Sequence, residues 1–144
     1  MSILDRLRNG VTAHSLEETN QLATEIAEVL PSEAVITLEG DLGAGKTTFV
    51  KGLASNWEIQ ETVTSPTFNI YQVYQGNRNL IHMDAYRLEP SDDIVEELMI
   101  DDFMVAPYCL AIEWPTNLGE LPWDVFLRLR LEIGPNDSRI IRSH

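Results

Sequence analysis

The residues Gly40-Asp41-Leu42-Gly43-Ala44-Gly45-Lys46-Thr47-Thr48 have the types and spacing that phosphate chemistry requires. From Gly40 to Thr47 they match the pattern G-x-x-x-x-G-K-[ST]. The glycines let the backbone turn tightly and aim successive N–H groups inward as an anion nest. Lys46 adds a point charge that can reach the β- and γ-phosphates of a nucleotide. The Thr47 hydroxyl is a hard oxygen ligand for Mg²⁺, a cation that keeps several waters and needs few protein ligands. A helix that starts here points its positive end at the same phosphates. The candidate phosphate-binding residues are therefore Asp41, Leu42, Gly43, Ala44, Gly45, Lys46, Thr47 and Thr48.

Such a loop also needs an acid for the metal or its water shell, and a group that orients the attacking water. That acid usually closes a buried apolar strand beside the loop. Asp84, after Leu80–Met83, and Glu113, after Tyr108–Ile112, both fit, and position alone does not divide the roles. His82 lies two residues before Asp84, so in a strand the two side chains share a face. It reads as a packed histidine, with orientation of the Asp84 carboxylate as the alternative. Arg87 could pair with Asp84 or reach a phosphate, and a structural ion pair is the expected role. The 3 histidines show no metal-type spacing. Cys109, inside the apolar run Tyr108–Ile112, reads as a buried structural thiol rather than a nucleophile.

The elements around these residues supply the required context. Ala34-Val35-Ile36-Thr37-Leu38 is an apolar, β-branched run, so a strand over 34–39 leads into the loop. Phe49, Val50, Leu53, Ala54 and Trp57 recur at helical spacing, which predicts a helix over 46–56. Earlier, Ser15 and Glu18 have capping-box spacing. Leu22, Ala23, Ile26, Ala27, Val29 and Leu30 give that helix one apolar stripe, and Pro31 ends it. The first dozen residues carry no clear pattern. The polar, proline-broken segment from Glu61 to Thr67 is either a surface loop or a hydroxyl-bearing nucleotide switch.

Phe68 to Tyr74 reads as a strand, Gln75-Gly76-Asn77 as a turn, and Leu80 to Asp84 as the returning strand. This hairpin makes the sheet mixed. Ser91 can cap a helix through about Ile100, with Ile94, Val95, Leu98 and Met99 on one face. Its carboxylates, Asp92, Asp93, Glu96, Glu97, Asp101 and Asp102, read as a solvated face, with a metal or partner site as the alternative. Residues 108–113 form a buried strand. Val125 to Ile133 alternates as a half-buried strand, and Arg139 to Arg142 could pair back onto it across the turn Gly134-Pro135-Asn136-Asp137.

A chain of 144 residues is expected to form one domain with a substantial core. No apolar run reaches membrane-span length, and the N-terminus lacks the apolar segment of a signal peptide. One cysteine excludes an internal disulfide. A cytoplasmic protein is expected. The net charge of −13 repels a phosphate backbone, so DNA binding or autonomous RNA binding is disfavoured. It suits either a solvated acidic surface or a partner with a basic face. A GTPase would carry an N-K-x-D-like guanine reader, which is absent. A small-molecule kinase usually carries an arginine-bearing lid, whereas Arg128 to Arg142 reads as strands. An ATPase that drives another process is the expected class. The alternatives are a small-metabolite kinase and a nucleotide-regulated binding module.

Four short tags occur in order: GDLGAGKTT at Gly40–Thr48, SPTF at Ser65–Phe68, HMDAYRL at His82–Leu88 and EWP at Glu113–Pro115. This order and spacing resembles the TsaE (formerly YjeE) family of small bacterial ATPases over nearly the whole chain. The resemblance implies an α/β P-loop NTPase fold, a three-layer α/β/α arrangement with a mixed parallel and antiparallel central sheet. It implies ATP hydrolysis with Mg²⁺ in support of threonylcarbamoyladenosine formation in tRNA. The implied partner is a complex of TsaD and TsaB, with tRNA met only indirectly. Carried over, Leu42 to Thr48 hold the phosphates and Thr47 and Glu113 ligate Mg²⁺. Asp84 acts as catalytic acid/base or water-orienting group. Ser65 and Thr67 belong to a switch-like loop, and Trp114 is placed to report nucleotide state. The segment from Thr12 to Ser15 is expected near the adenine. Many relatives place an acid soon after the tryptophan pair, whereas Thr116-Asn117 follows Pro115 here.

Overall fold

The computed structural model describes residues 1–66 and 69–144. The first helix that the sequence pattern predicts is α2, Leu16–Val29. The Ser15 hydroxyl accepts from Glu18 N–H at 3.1 Å, while the Glu18 carboxylate accepts from His14 N–H at 3.3 Å. Reciprocal bonds of this kind satisfy amides that the first turn leaves unpaired. Thr19, Leu22, Ala23 and Ile26 form its buried stripe. The chain leaves at Leu30 in extended conformation, as expected of a residue that precedes proline.

Strand β2, Glu33–Glu39, is buried at every position from Ala34 to Leu38. It lies at the centre of the sheet, so both of its faces are covered. Helix α3, Lys46–Ala54, follows the phosphate loop. Strands β3, Tyr71–Tyr74, and β4, Asn79–Asp84, form the expected hairpin. Residues Ile70 and Asn69 precede β3 in a bend, so the strand is shorter than its sequence signal; Phe68 lies outside the described residues. Strand β5, Tyr108–Glu113, is buried throughout. Strand β6, Leu127–Ile133, alternates buried and exposed, and β7, Arg139–Ser143, pairs back onto it antiparallel.

The N-terminal residues hold two elements that the sequence pattern does not reveal. Helix α1, Ile3–Asn9, is capped by Ser2, whose hydroxyl accepts from Asp5 N–H, and ends at Gly10. Strand β1, Val11–Ala13, pairs antiparallel with β7. Only Ile3 and Leu7 of α1 are buried, and two apolar residues one turn apart are too short a run to register as periodicity.

The described residues form a seven-stranded sheet in the order β1-β7-β6-β2-β5-β4-β3. The strands β6, β2, β5 and β4 are mutually parallel. Antiparallel strands flank them on both sides. The result is the mixed α/β sheet expected from the sequence. One face packs against α1, α2 and α3, where Leu7, Ile26, Phe49 and Leu53 meet Ile36, Leu38, Ala111 and Leu129. The other face, with Val35, Ile81, Met83, Leu110 and Ile112, packs against Ile100 and Leu118.

That second layer corrects the expectation of a helix from Ser91. The segment is broken into 3₁₀ turns at Pro90–Asp92, Glu96–Leu98 and Ile100–Phe103. Asp93 and Met99 interrupt it with positive φ of 45° and 55°. In an α-helix, Asp92 would stack on Glu96, Asp93 on Glu97 and Glu97 on Asp101. Like charges four apart are destabilising, which weakens a continuous helix here. No helix among the described residues is long and apolar enough to cross a membrane.

Candidate functional site

The phosphate loop joins the C-terminal end of β2 to the start of α3. Gly40 has φ 150°, and a Cβ there would lie 2.3 Å from the Leu131 carbonyl oxygen, so a side chain would push the loop off β6. Gly45, the residue before α3, is left-handed at φ 101°, ψ 20°. A β-carbon would strain that conformation. The motif's first and second glycines therefore act locally: one permits close approach, the other permits the turn.

Lys46 is only 5% exposed. Its Nζ donates to the Gly40 carbonyl and to the Asp41 carbonyl, the latter at 3.0 Å. It also lies 4.4 Å from the centroid of the Trp114 ring, within cation–π range. Burial lowers its pKa from the ordinary lysine value, and the carboxylates of Glu113, Asp84 and Asp41 pull in the opposite direction. The ammonium is thus a partly desolvated charge, screened by its neighbours, at the mouth of an anion nest.

The two strand-end acids are cross-strand partners, since Asp84 on β4 pairs with Glu113 on β5. Their surroundings separate them. Glu113 is 3% exposed. Its Oε2 accepts from the Thr47 hydroxyl at 2.8 Å and lies 2.6 Å from His82 Nε2. Asp84 is half-buried. Its Oδ2 accepts from the Ser65 hydroxyl at 2.9 Å, and its Oδ1 from Tyr86 N–H at 2.9 Å. One acid is locked against the helix that follows the phosphate loop. The other is held by loop residues.

His82 is fully buried, and its hydrogen bond goes to Glu113 rather than to Asp84. The packed reading is right about burial, but it omits this partner. Arg87 departs from expectation more clearly. It is exposed, makes no salt bridge among the described residues, and lines the cavity instead. The acid missing after the tryptophan pair is replaced by a donor: Asn117 Nδ2 donates to the carbonyls of Ala85 at 3.1 Å and Tyr86 at 3.2 Å. It ties the turn after Asp84 to the turn after Glu113, which a carboxylate could not do. Trp114 itself is left-handed at φ 58°, ψ 50°, a costly conformation for a bulky residue. That bend sets its ring beside both Lys46 and Tyr86.

A cavity of about 780 Å³ opens over these residues, within the range of small-ligand sites. Leu42 to Thr48 line it, together with Ser65, Asp84, Glu113 and Trp114. Asp41 does not, and contributes its backbone carbonyl to Lys46 and to Ala44 N–H. Ala13, His14 and Ser15 line the wall formed by β1 and the start of α2, whereas Thr12 pairs in the sheet with Ile140. Thr67 lies outside the described residues.

Arg139 is the residue that sequence reasoning read only as a strand position. It lines the cavity, donates to the Gly43 carbonyl at 3.4 Å, and is braced by Asp137 at 2.9 Å. The signal for it was the turn at Gly134–Asp137, which returns β7 toward the loop. Its link to Gly43 spans 96 positions of sequence.

The donor chemistry fits a hard cation beside the phosphates. Thr47 and Glu113 present oxygens 2.8 Å apart beneath the loop. No cluster of three or more His, Cys, Asp or Glu residues among the described residues forms a protein cage. Few protein ligands beside a phosphate loop are the usual Mg²⁺ arrangement.

Comparison with known proteins gives a consistent result. The family model "Threonylcarbamoyl adenosine biosynthesis protein TsaE" matches residues 13–141. A tRNA threonylcarbamoyladenosine biosynthesis protein TsaE from Bacillus subtilis is 44% identical over 126 residues, covering 87% of this chain and 78% of the relative. The corresponding protein from Aquifex aeolicus is 39% identical over 141 residues, covering 96% and 97%. One from a Nostoc species is 39% identical over 126 residues, covering 85% and 77%. The crystal structure of Bacillus subtilis YdiB superposes with a TM-score of 0.71 at 35% identity, covering 92% of this chain and 81% of that one.

Proposed function

This chain belongs to the TsaE family, with a role in tRNA threonylcarbamoyladenosine biosynthesis, and on that premise we propose that it is an Mg²⁺-dependent ATPase acting on the TsaD–TsaB complex. The observation that carries the reading is the Thr47–Glu113 contact at 2.8 Å beneath the phosphate loop. It joins the loop's hydroxyl to a buried carboxylate, the two groups that would hold Mg²⁺.

In this reading the loop amides and Lys46 bind the phosphates. For that, Lys46 leaves the carbonyls of Gly40 and Asp41, with which it pairs in the structure. Thr47 and Glu113 hold Mg²⁺, which when bound neutralises charge on the phosphate oxygens. Asp84 orients the attacking water and takes up its proton. The hydroxyl of Ser65 and the amide of Tyr86 fix that carboxylate from two sides, and its partial exposure leaves room for water. Arg139 braces the loop from β7. The wall of Ala13, His14 and Ser15 receives the nucleoside.

The deciding experiment is Mg-ATP hydrolysis by the purified protein alone and with the TsaD–TsaB pair, with Lys46→Ala as control. Slow turnover alone, stimulation by the pair and loss of ATP binding in the variant are expected. Unchanged ATP affinity in Lys46→Ala overturns the loop assignment. Equal turnover with and without the pair overturns the partner assignment alone.

A further inference from the structure

The position of His82 holds more than a packed ring. It lies on β4 directly opposite Ala111 of β5, and Glu113 is the diagonal neighbour two residues on. Diagonal positions on one face of a sheet are within reach of long or cyclic side chains, and the small Ala111 leaves the space the imidazole crosses. Its Nε2 ends 2.6 Å from Glu113 Oε2. That same oxygen accepts from the Thr47 hydroxyl, so it is an acceptor, and Nε2 is the donor. Nδ1 is buried without a hydrogen-bond partner among the described residues. A buried polar atom left without a partner carries a cost, which marks the placement of this ring as set by its other nitrogen.

The second oxygen of Glu113 takes no hydrogen bond among the described residues. Thr47, by donating its proton to Oε2, keeps its lone pairs for a cation. We infer that His82 is a positioning residue: its Nε2–H fixes the Glu113 carboxylate so that Thr47 and Glu113 present their free oxygens to Mg²⁺ together. Outer partners of this kind orient metal ligands, and their loss typically lowers metal affinity by about 10–100-fold. The inference rests on the Mg²⁺ reading above.

The test is ADP affinity by calorimetry, in Mn²⁺ and in EDTA, for the wild type, His82→Asn and His82→Gln. The Gln amide nitrogen can occupy the place of Nε2, whereas that of Asn falls short. His82→Asn should lose about 10–100-fold of the gain that Mn²⁺ gives, with affinity in EDTA unchanged, and His82→Gln should recover most of it. An undiminished Mn²⁺ gain in His82→Asn overturns the inference, as does equal loss in both variants. A wild type whose ADP affinity ignores Mn²⁺ overturns the metal reading itself, and the inference falls with it. Should His82→Asn fail to fold, ¹⁵N-labelled wild type answers the question. The His82 proton should reside on Nε2, and the ring signals should move when Mg²⁺ and ADP are added together. A proton on Nδ1 with none on Nε2, or signals unmoved by Mg²⁺, overturns the inference.

Discussion

The two faces of the sheet are covered by different kinds of structure. On one side α1, α2 and α3 lay continuous helical stripes over β2, β5 and β6. On the other, short 3₁₀ turns between residues 90 and 103 and at Pro115–Leu118 cover β2, β4 and β5. The site divides by what holds its groups. Lys46 and Thr47 belong to α3, and Glu113 is bonded to Thr47. Asp84 leads directly into the turn layer, and its partners Ser65 and Tyr86 are loop residues. Asp84 and Glu113 share the helical face of the sheet, but Glu113 is tied to α3 and Asp84 to loop residues. Short elements with few buried apolar contacts open more readily than a helical core, so the loop residues that hold Asp84 are its more adjustable support.

Core truncation should break this contrast most visibly. Phe49 is fully buried on the helical face, and Phe49→Ala should cost about 3–5 kcal/mol in denaturant unfolding. Val105, 65% exposed just beyond the turn at Ile100–Phe103, should tolerate Val105→Ala within about 0.5 kcal/mol. Similar costs at both positions would show that the turn layer is as tightly packed as the helices.

The second prediction separates the halves of the site. Asp84→Asn should lower ATP turnover by about 10²–10⁴-fold while leaving ADP affinity near the wild-type value. A matching loss of affinity would place Asp84 among the binding groups and erase the division.

A smaller effect checks the anchoring of the helical face. Ser15→Ala removes the cap of α2 and should cost about 1 kcal/mol, read as a lower unfolding midpoint. No change would mean that packing alone fixes the start of α2 and the cavity wall beside it.

The least change is expected at Cys109. Its thiol is fully buried among the α-face strands, and burial pushes its pKa up to about 12 from an ordinary 9.0. At neutral pH the native thiol should resist a disulfide reagent until the protein unfolds. Because the folded pKa is the higher one, this group's contribution to stability declines as pH rises above about 9, where the unfolded thiol ionises. Rapid labelling of native protein at neutral pH would show that the helical face opens as easily as the turn layer.

The sequence determined the phosphate loop, the strands that flank it, the Ser15 cap, the hairpin and the candidate pair Asp84 and Glu113. Each of these is marked by residues close in the chain, so a local pattern reveals them: a fixed motif, a helical stripe, an alternation, a capping-box spacing. Helix α1 and strand β1 escaped because they are short and take their stability from distant partners, β1 from β7 at the other end of the chain. In the acidic segment after Glu89 the helical spacing of Ile94, Val95 and Leu98 competes with repulsion among neighbouring carboxylates. Only the tertiary structure decided which acid meets Thr47, that His82 joins Glu113 instead of its strand neighbour Asp84, and that Arg139 reaches Gly43. The physical reason is the same for all three. The sheet sets side by side strands far apart in the chain, β4 with β5 and antiparallel β7 with β6, and which side chains then meet depends on cross-strand register and loop placement, which no local spacing encodes.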